Sequence, residues 1–153
     1  MQTKIEKSIF LIFCIYSLFF FIGSTLAPLF AHFQQYDISA KLTYLYMHSC
    51  HQQPDRSFWI LKYPVALCCR CYGFYLGVAL STIFTLFNKI KFNYKQIIPY
   101  FIIVLIDITF NCILKINTGN ITRFIVGTIM GLLYTLLLCV VMKLIKEKHN
   151  NAH

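Results

Sequence analysis

Cys50 and His51 stand side by side, and Cys68 and Cys71 follow as a C-x-x-C pair. Residues three apart share one face of a helix, so both sulfurs of the pair can address one centre. Thiolate sulfur and imidazole nitrogen are good ligands for zinc and, second to it, copper, and a third cysteine completes a tetrahedral set. Cys50, His51, Cys68 and Cys71 are therefore the expected metal ligands, with His48 as a substitute. Two other readings of the same residues stay open. A C-x-x-C pair in an oxidising compartment forms a plain or redox-active disulfide, which would make the chain a thiol–disulfide oxidoreductase. Alternatively the cysteines are small buried packing residues. Whether the chain is an enzyme is left open by these residues.

Charged residues inside apolar runs form a second group. Arg70 and Asp107 each interrupt such a run, and charges in lipid pair with one another or line a polar cavity. At ~1.5 Å per residue, Arg70 falls about 9 Å and Asp107 about 14 Å from the outer ends of their segments. A paired Arg70–Asp107 is expected, with Asn111 one turn outward on the Asp107 face. Arg56 and Ser57 lie in the turn Pro54-Asp55-Arg56-Ser57-Phe58 and could receive an anion such as a lipid phosphate. With Arg70 and Arg123 they give a third reading, a lipid- or anion-binding module. Arg56, Ser57, Arg70, Asp107, Asn111, Asn120 and Arg123 are the residues expected around the cysteines, either orienting the ligands or holding an anion. Ser57 lacks a Ser-His-Asp pattern in the sequence. Cys14, Cys112 and Cys139 each stand alone in an apolar run, and His32, His149 and His153 have no patterned neighbours.

The elements that must position these groups are membrane helices. Of the 153 residues, 58% are hydrophobic and only 12% are charged, about half the charged share of a soluble domain. A bilayer core needs ~20 apolar residues per helix. Four segments qualify, at about 8–31, 65–87, 97–116 and 124–145, in a single membrane domain over 1–153. The expected fold is all-α: an integral membrane bundle of four transmembrane helices, with a folded outer loop between helices one and two. The first segment follows Lys4 and Lys7 and reads as an uncleaved helix. Ile38 to Met47 reads as a short interfacial helix beside Tyr44, Tyr46 and Trp59. Two pairs of glycines four apart, Gly73/Gly77 and Gly127/Gly131, allow backbones to approach closely. A helix two–helix four contact through them would bring Arg123 towards the cysteines; the same faces could instead join copies in a homo-oligomer.

The net charge of +9 sits in clusters beside apolar runs, which is a topology and anionic-lipid signal and not a nucleic-acid face. Membrane lipids are the expected partners, with no nucleic acid. Lys4, Lys7, Lys89, Lys91, Lys95, Lys143, Lys146 and Lys148 would lie on one side; Lys41, Arg56, Lys62, Lys115 and Arg123 would lie on the other. The bias puts both termini in the cytoplasm.

Cys50-His51-Gln52, Pro54, Arg56-Ser57-Phe58, then Cys68, Arg70-Cys71, Gly73, Tyr75 and Gly77 resemble the signature of a prokaryotic membrane-protein family, domain of unknown function 2085. Asp107, Thr118, Asn120, Arg123, Gly127 and Gly131 are similar to that family's C-terminal pattern, with Thr118 in place of the usual serine. Tyr72 and Cys69 stand where the pattern has threonine and alanine, which argues against Cys69 as a ligand. The resemblance implies a prokaryotic cytoplasmic membrane protein. It marks which residues matter and supplies no reaction.

Overall fold

The computed structural model describes residues 4–88, 97–110 and 118–150. The described elements, in order, are α1 (Lys4–His32), α2 (Tyr36–Tyr46), a 3₁₀ turn (Pro54–Arg56), β1 (Trp59–Ile60), β2 (Tyr63–Pro64), α3 (Cys69–Phe87), α4 (Ile97–Ile108) and α5 (Gly119–Asn150). Among the described residues, three helices are long and apolar enough to cross a membrane: Lys4–His32, Cys69–Phe87 and Gly119–Lys148. Large apolar side chains remain exposed along them and along α4, including Leu11, Ile15, Phe84, Phe101, Ile102, Leu105 and Leu137. Such faces need a lipid or protein partner.

The third expected segment, 97–116, is described only as α4. Its twelve residues span ~18 Å, short of a ~30 Å bilayer core. Asn111, Cys112 and Lys115 lie outside the described residues, as do Lys89, Lys91 and Lys95. The second expected segment starts four residues early. Val65, Ala66 and Leu67 are apolar because they are buried under the preceding loop; the helix begins at Cys69.

α3 lies between α1 and α5, and α4 lies against α5. The α3–α5 contact is built from the two glycine pairs. A Cβ on Gly73 would strike the Phe124 carbonyl, and one on Gly77 the Thr128 carbonyl. One on Gly127 would strike the Arg70 carbonyl, and one on Gly131 the Phe74 carbonyl. Numbers rise together along both helices, so α3 and α5 run parallel. Ser81 Oγ donates to Thr135 Oγ1 at 2.7 Å across the same seam. Both glycine pairs meet in this one intramolecular contact. Gly77→Ala and Gly127→Ala are each expected to destabilise the bundle by roughly 1–3 kcal/mol, because the obstructing atoms are backbone and cannot rotate away. Denaturant unfolding in detergent measures this; unchanged midpoints would show a loose seam.

α1 ends in a Schellman motif. Gln34 takes the left-handed conformation (φ 61°), its N–H donates to Ala31 O, and Gln35 N–H donates to Phe30 O. The chain turns back as α2, which packs on α1 through buried Tyr46. The loop after α2 folds across the end of the bundle. Its hairpin pairs Trp59 with Pro64 and Ile60 with Tyr63, and Leu61 and Lys62 both adopt positive φ, as a twist-matched two-residue turn requires.

Pro28 fixes where this loop docks. Proline has no N–H, so it leaves the Ser24 carbonyl, one turn back in α1, without its helical partner. The Ala66 N–H donates to that carbonyl at 3.2 Å. A backbone vacancy inside α1 is thus the anchor for the strand that leads into α3.

Candidate functional site

The Ala66 anchor continues towards the cysteines. Gln52 Nε2 donates to Ala66 O at 3.0 Å and to Thr43 O at 2.6 Å, clipping the loop to both the α3 lead-in and α2. Gln52 itself sits at φ 49°, a left-handed backbone that turns the chain just after Cys50. This turn aims the Gln52 N–H back at Cys50 Sγ (3.5 Å). The Cys68 N–H meets the same sulfur at 3.2 Å. Two backbone donors on one sulfur favour its thiolate form.

Cys68 occupies the N-cap of α3 with extended backbone, and Cys71 follows on the first turn. The Sγ atoms of Cys50, Cys68 and Cys71 all lie within 4.8 Å of one another. Cys50 is buried and the other two are half-buried. Tetrahedral zinc, with bonds of ~2.3 Å, would set its sulfurs ~3.8 Å apart. The trio is therefore within about 1 Å of a metal-holding arrangement. The thiols share protons: the Cys68 thiol is held far below its ordinary range, first by the thiol of Cys50, then by that of Cys71, with backbone N–H groups of Cys71 and Arg70 adding. Cys50 moves the other way, chiefly because its thiol faces Cys68.

His51 does not join the trio. It is exposed and stands on the wall of the adjoining cavity. Its neighbour Cys50 already points into the buried centre, and adjacent loop residues turned to one centre need a conformation this loop does not adopt. His48 is exposed against the Tyr44 ring. Cys69 is fully buried outside the trio.

A cavity of about 350 Å³ opens beside the sulfurs, at the end of the bundle where α1 finishes and α3 and α5 begin. Three arginines from three elements line it: Arg56 from the 3₁₀ turn, Arg70 from α3 and Arg123 from α5. Ser49, His51 and Gln53 complete the wall with the cysteines. The expected ion pair is present: Arg70 Nη2 donates to Asp107 Oδ2 at 2.6 Å. The Asp107 side chain is only 3% exposed, that of Arg70 29%.

Asn120 holds the loop to α5. Its Nδ2 donates to the carbonyls of Asp55 and Ser57, both at 3.3 Å, and its Oδ1 accepts from Arg123 Nη1 at 3.4 Å. Ser57 is buried, and its hydroxyl donates to Gln53 O at 3.0 Å instead of facing the cavity. Asn111 lies outside the described residues. Sequence reasoning missed the roles of Gln52 and Pro28. Both act through backbone atoms of distant residues; the available signals were the place of Gln52 in the Cys-His-Gln signature and a proline inside an apolar helix.

Gln52→Ala is expected to weaken the hold on Cys50 while leaving the helices intact. Losing two hydrogen bonds to buried carbonyls costs roughly 1–3 kcal/mol. Faster labelling of Cys50 by a thiol reagent, at unchanged helical circular dichroism, checks it; identical labelling would remove Gln52 from the site.

Residues 50–137 match the family model described as "Predicted membrane protein (DUF2085)". That stretch contains the three cysteines, the three arginines, Asp107 and both glycine pairs. An uncharacterized protein of Methanocaldococcus jannaschii is 38% identical, over 82% of this chain and 86% of its own. No solved structure matches the chain.

Proposed function

This chain belongs to the DUF2085 family of predicted membrane proteins, and we propose that it holds a metal ion, zinc first and copper second, in the trio Cys50, Cys68 and Cys71. The observation that carries this reading is the convergence of three sulfurs within 4.8 Å from two chain segments eighteen residues apart. One of those sulfurs has a setting that favours thiolate, since Cys68 stands at a helix N-terminus, and Cys50 Sγ is fixed in place by two backbone N–H groups. Three protein ligands leave the fourth position to an external ligand, or to His51 if its loop takes another conformation. The first makes a site open to chemistry; the second makes a closed structural one.

The site belongs to a bundle of four transmembrane helices in a prokaryotic cytoplasmic membrane, with the α1–α3 loop folded over its outer mouth. Support for the fourth crossing is geometric. α3 and α5 run parallel, so the chain must travel the length of the bundle between Phe87 and Gly119, and α4 lies on that path. Glu6 and Lys146 approach to 3.9 Å, which brings the start of α1 and the later part of α5 to one end. The lysine bias assigns that end to the cytoplasm.

Elemental analysis of protein purified without a metal-affinity step tests the metal. Near-stoichiometric zinc or copper supports it; metal-free protein at neutral pH, with all three thiols intact, rejects it. The second reading, a thiol–disulfide oxidoreductase, draws on the depressed Cys68 thiol at a helix N-terminus. Thiol blocking followed by mass mapping separates the two: a reducible Cys68–Cys71 bond in native membranes favours exchange chemistry, and three free thiols count against it.

A further inference from the structure

We propose that the cavity beside the cysteines is a binding site for a phosphate-type oxyanion. The inference goes beyond the metal reading and rests on the arginines. Arg56, Arg70 and Arg123 reach the cavity from the 3₁₀ turn, α3 and α5, and among the described residues no carboxylate lines it. Three guanidiniums converging from three elements suit a group with three free oxygens better than a planar carboxylate with two.

The local carboxylates do not use up this charge. Asp107 receives one Nη2 hydrogen bond from Arg70, yet the Arg70 Nε is buried with no hydrogen-bond partner among the described residues. A guanidinium offers five donors, so Arg70 keeps capacity for a further acceptor. Asp55 stands 3.9 Å from Arg56 Nε, and both side chains are more than half exposed, so water screens that pair. A divalent ion on three thiolates would carry one net negative charge and Asp107 a second; three guanidiniums still exceed them. α3 and α5 also both begin at this end, and helix N-termini favour anions. The cavity of about 350 Å³ accommodates a phosphate group, free or on a lipid.

The test uses the full chain in detergent and in phosphatidylcholine discs with and without phosphatidic acid. Inorganic phosphate is titrated into the detergent sample, with chloride at equal ionic strength as the control, while thermal unfolding and calorimetry are followed. Inorganic phosphate is expected to raise the unfolding temperature where chloride does not; if only phosphatidic acid does so, the source is a lipid head group. Arg56→Gln and Arg123→Gln should each weaken binding roughly tenfold. Arg56 is an exposed loop residue, so that variant keeps the fold. No response to either probe, or responses in both variants equal to that of the wild type, overturns the site and leaves the arginines as a counter-charge to the thiolates. Zinc and copper content is measured on the same samples. Phosphate binding by protein free of both zinc and copper would defeat the metal reading alone; metal-loaded protein indifferent to both probes would defeat the oxyanion site alone.

Discussion

Cys68→Ser is expected to empty the metal site, while Cys69→Ser, one residue on, leaves it loaded. The contrast is the largest effect anticipated for this protein. Cys68 supplies one sulfur of the trio, and its backbone N–H also steadies Cys50 Sγ. A serine hydroxyl at that position is a poor ligand for zinc or copper at neutral pH. Loss of affinity should exceed the ~10–100-fold that follows removal of a mere supporting partner. Cys69 points elsewhere, is fully buried and shares no centre with the others. Cobalt substitution reads the difference directly: thiolate-to-cobalt charge-transfer absorption should appear in the wild type and in Cys69→Ser, and disappear in Cys68→Ser. Chelation should mimic Cys68→Ser, and the metal-free protein should expose the loop between α2 and α3 to protease, since binding energy at such a site is folding energy. Equal cobalt spectra in the two variants would remove the trio from consideration as ligands.

Why Cys68 was readable in advance and His51 was not is a matter of local against distant geometry. The C-x-x-C spacing is a helical repeat, fixed within one turn of α3, and the structure keeps Cys68 and Cys71 together. Cys50 lies eighteen residues upstream; its arrival depends on Gln52, on Ala66 and finally on the carbonyl that Pro28 leaves open in α1. Neither link has a side-chain pattern at its accepting end, because the acceptors, Ala66 O and Ser24 O, are backbone oxygens. His51 was attached to Cys50 by adjacency alone, and adjacency in a loop says little about direction. Apolar runs told the same kind of half-truth. They located the three helices long and apolar enough to span, yet Val65 to Leu67 carry the same signal for burial beneath a loop as for burial in lipid. Glycine spacing did better: the expected contact between the helices that carry the two glycine pairs is the α3–α5 seam, because a missing Cβ is a local signal that needs no distant residue to be read.

Asp107→Asn is expected to destabilise the bundle, by less than the ~3–5 kcal/mol that follows when a fully buried ion pair loses one member, because the charge left behind is the half-buried Arg70. Asparagine keeps the shape, so the loss reports charge and not packing. The partner is the exposed member of the two: Arg70 retains 29% side-chain exposure against 3% for Asp107, and its guanidinium can turn towards the cavity when the carboxylate is neutralised. The stranded group differs with the side removed. Arg70→Leu, which leaves a carboxylate buried at the α3–α4 contact, should therefore be the more damaging single change. Asp107→Leu together with Arg70→Leu should recover a large part of the loss, since an apolar pair needs no desolvation of charge. Denaturant unfolding of the wild type, both leucine singles and the double in one detergent completes the cycle. A double variant no more stable than the worse single would mean that the charges are not coupled, and that Asp107 is held in the bundle by something other than Arg70. Zinc measured on the same four proteins separates scaffold from site: metal retained in the double variant makes the pair a clamp between α3 and α4, whereas metal lost from a stably folded double variant makes it part of what aims Cys71 and Arg70 at the cavity.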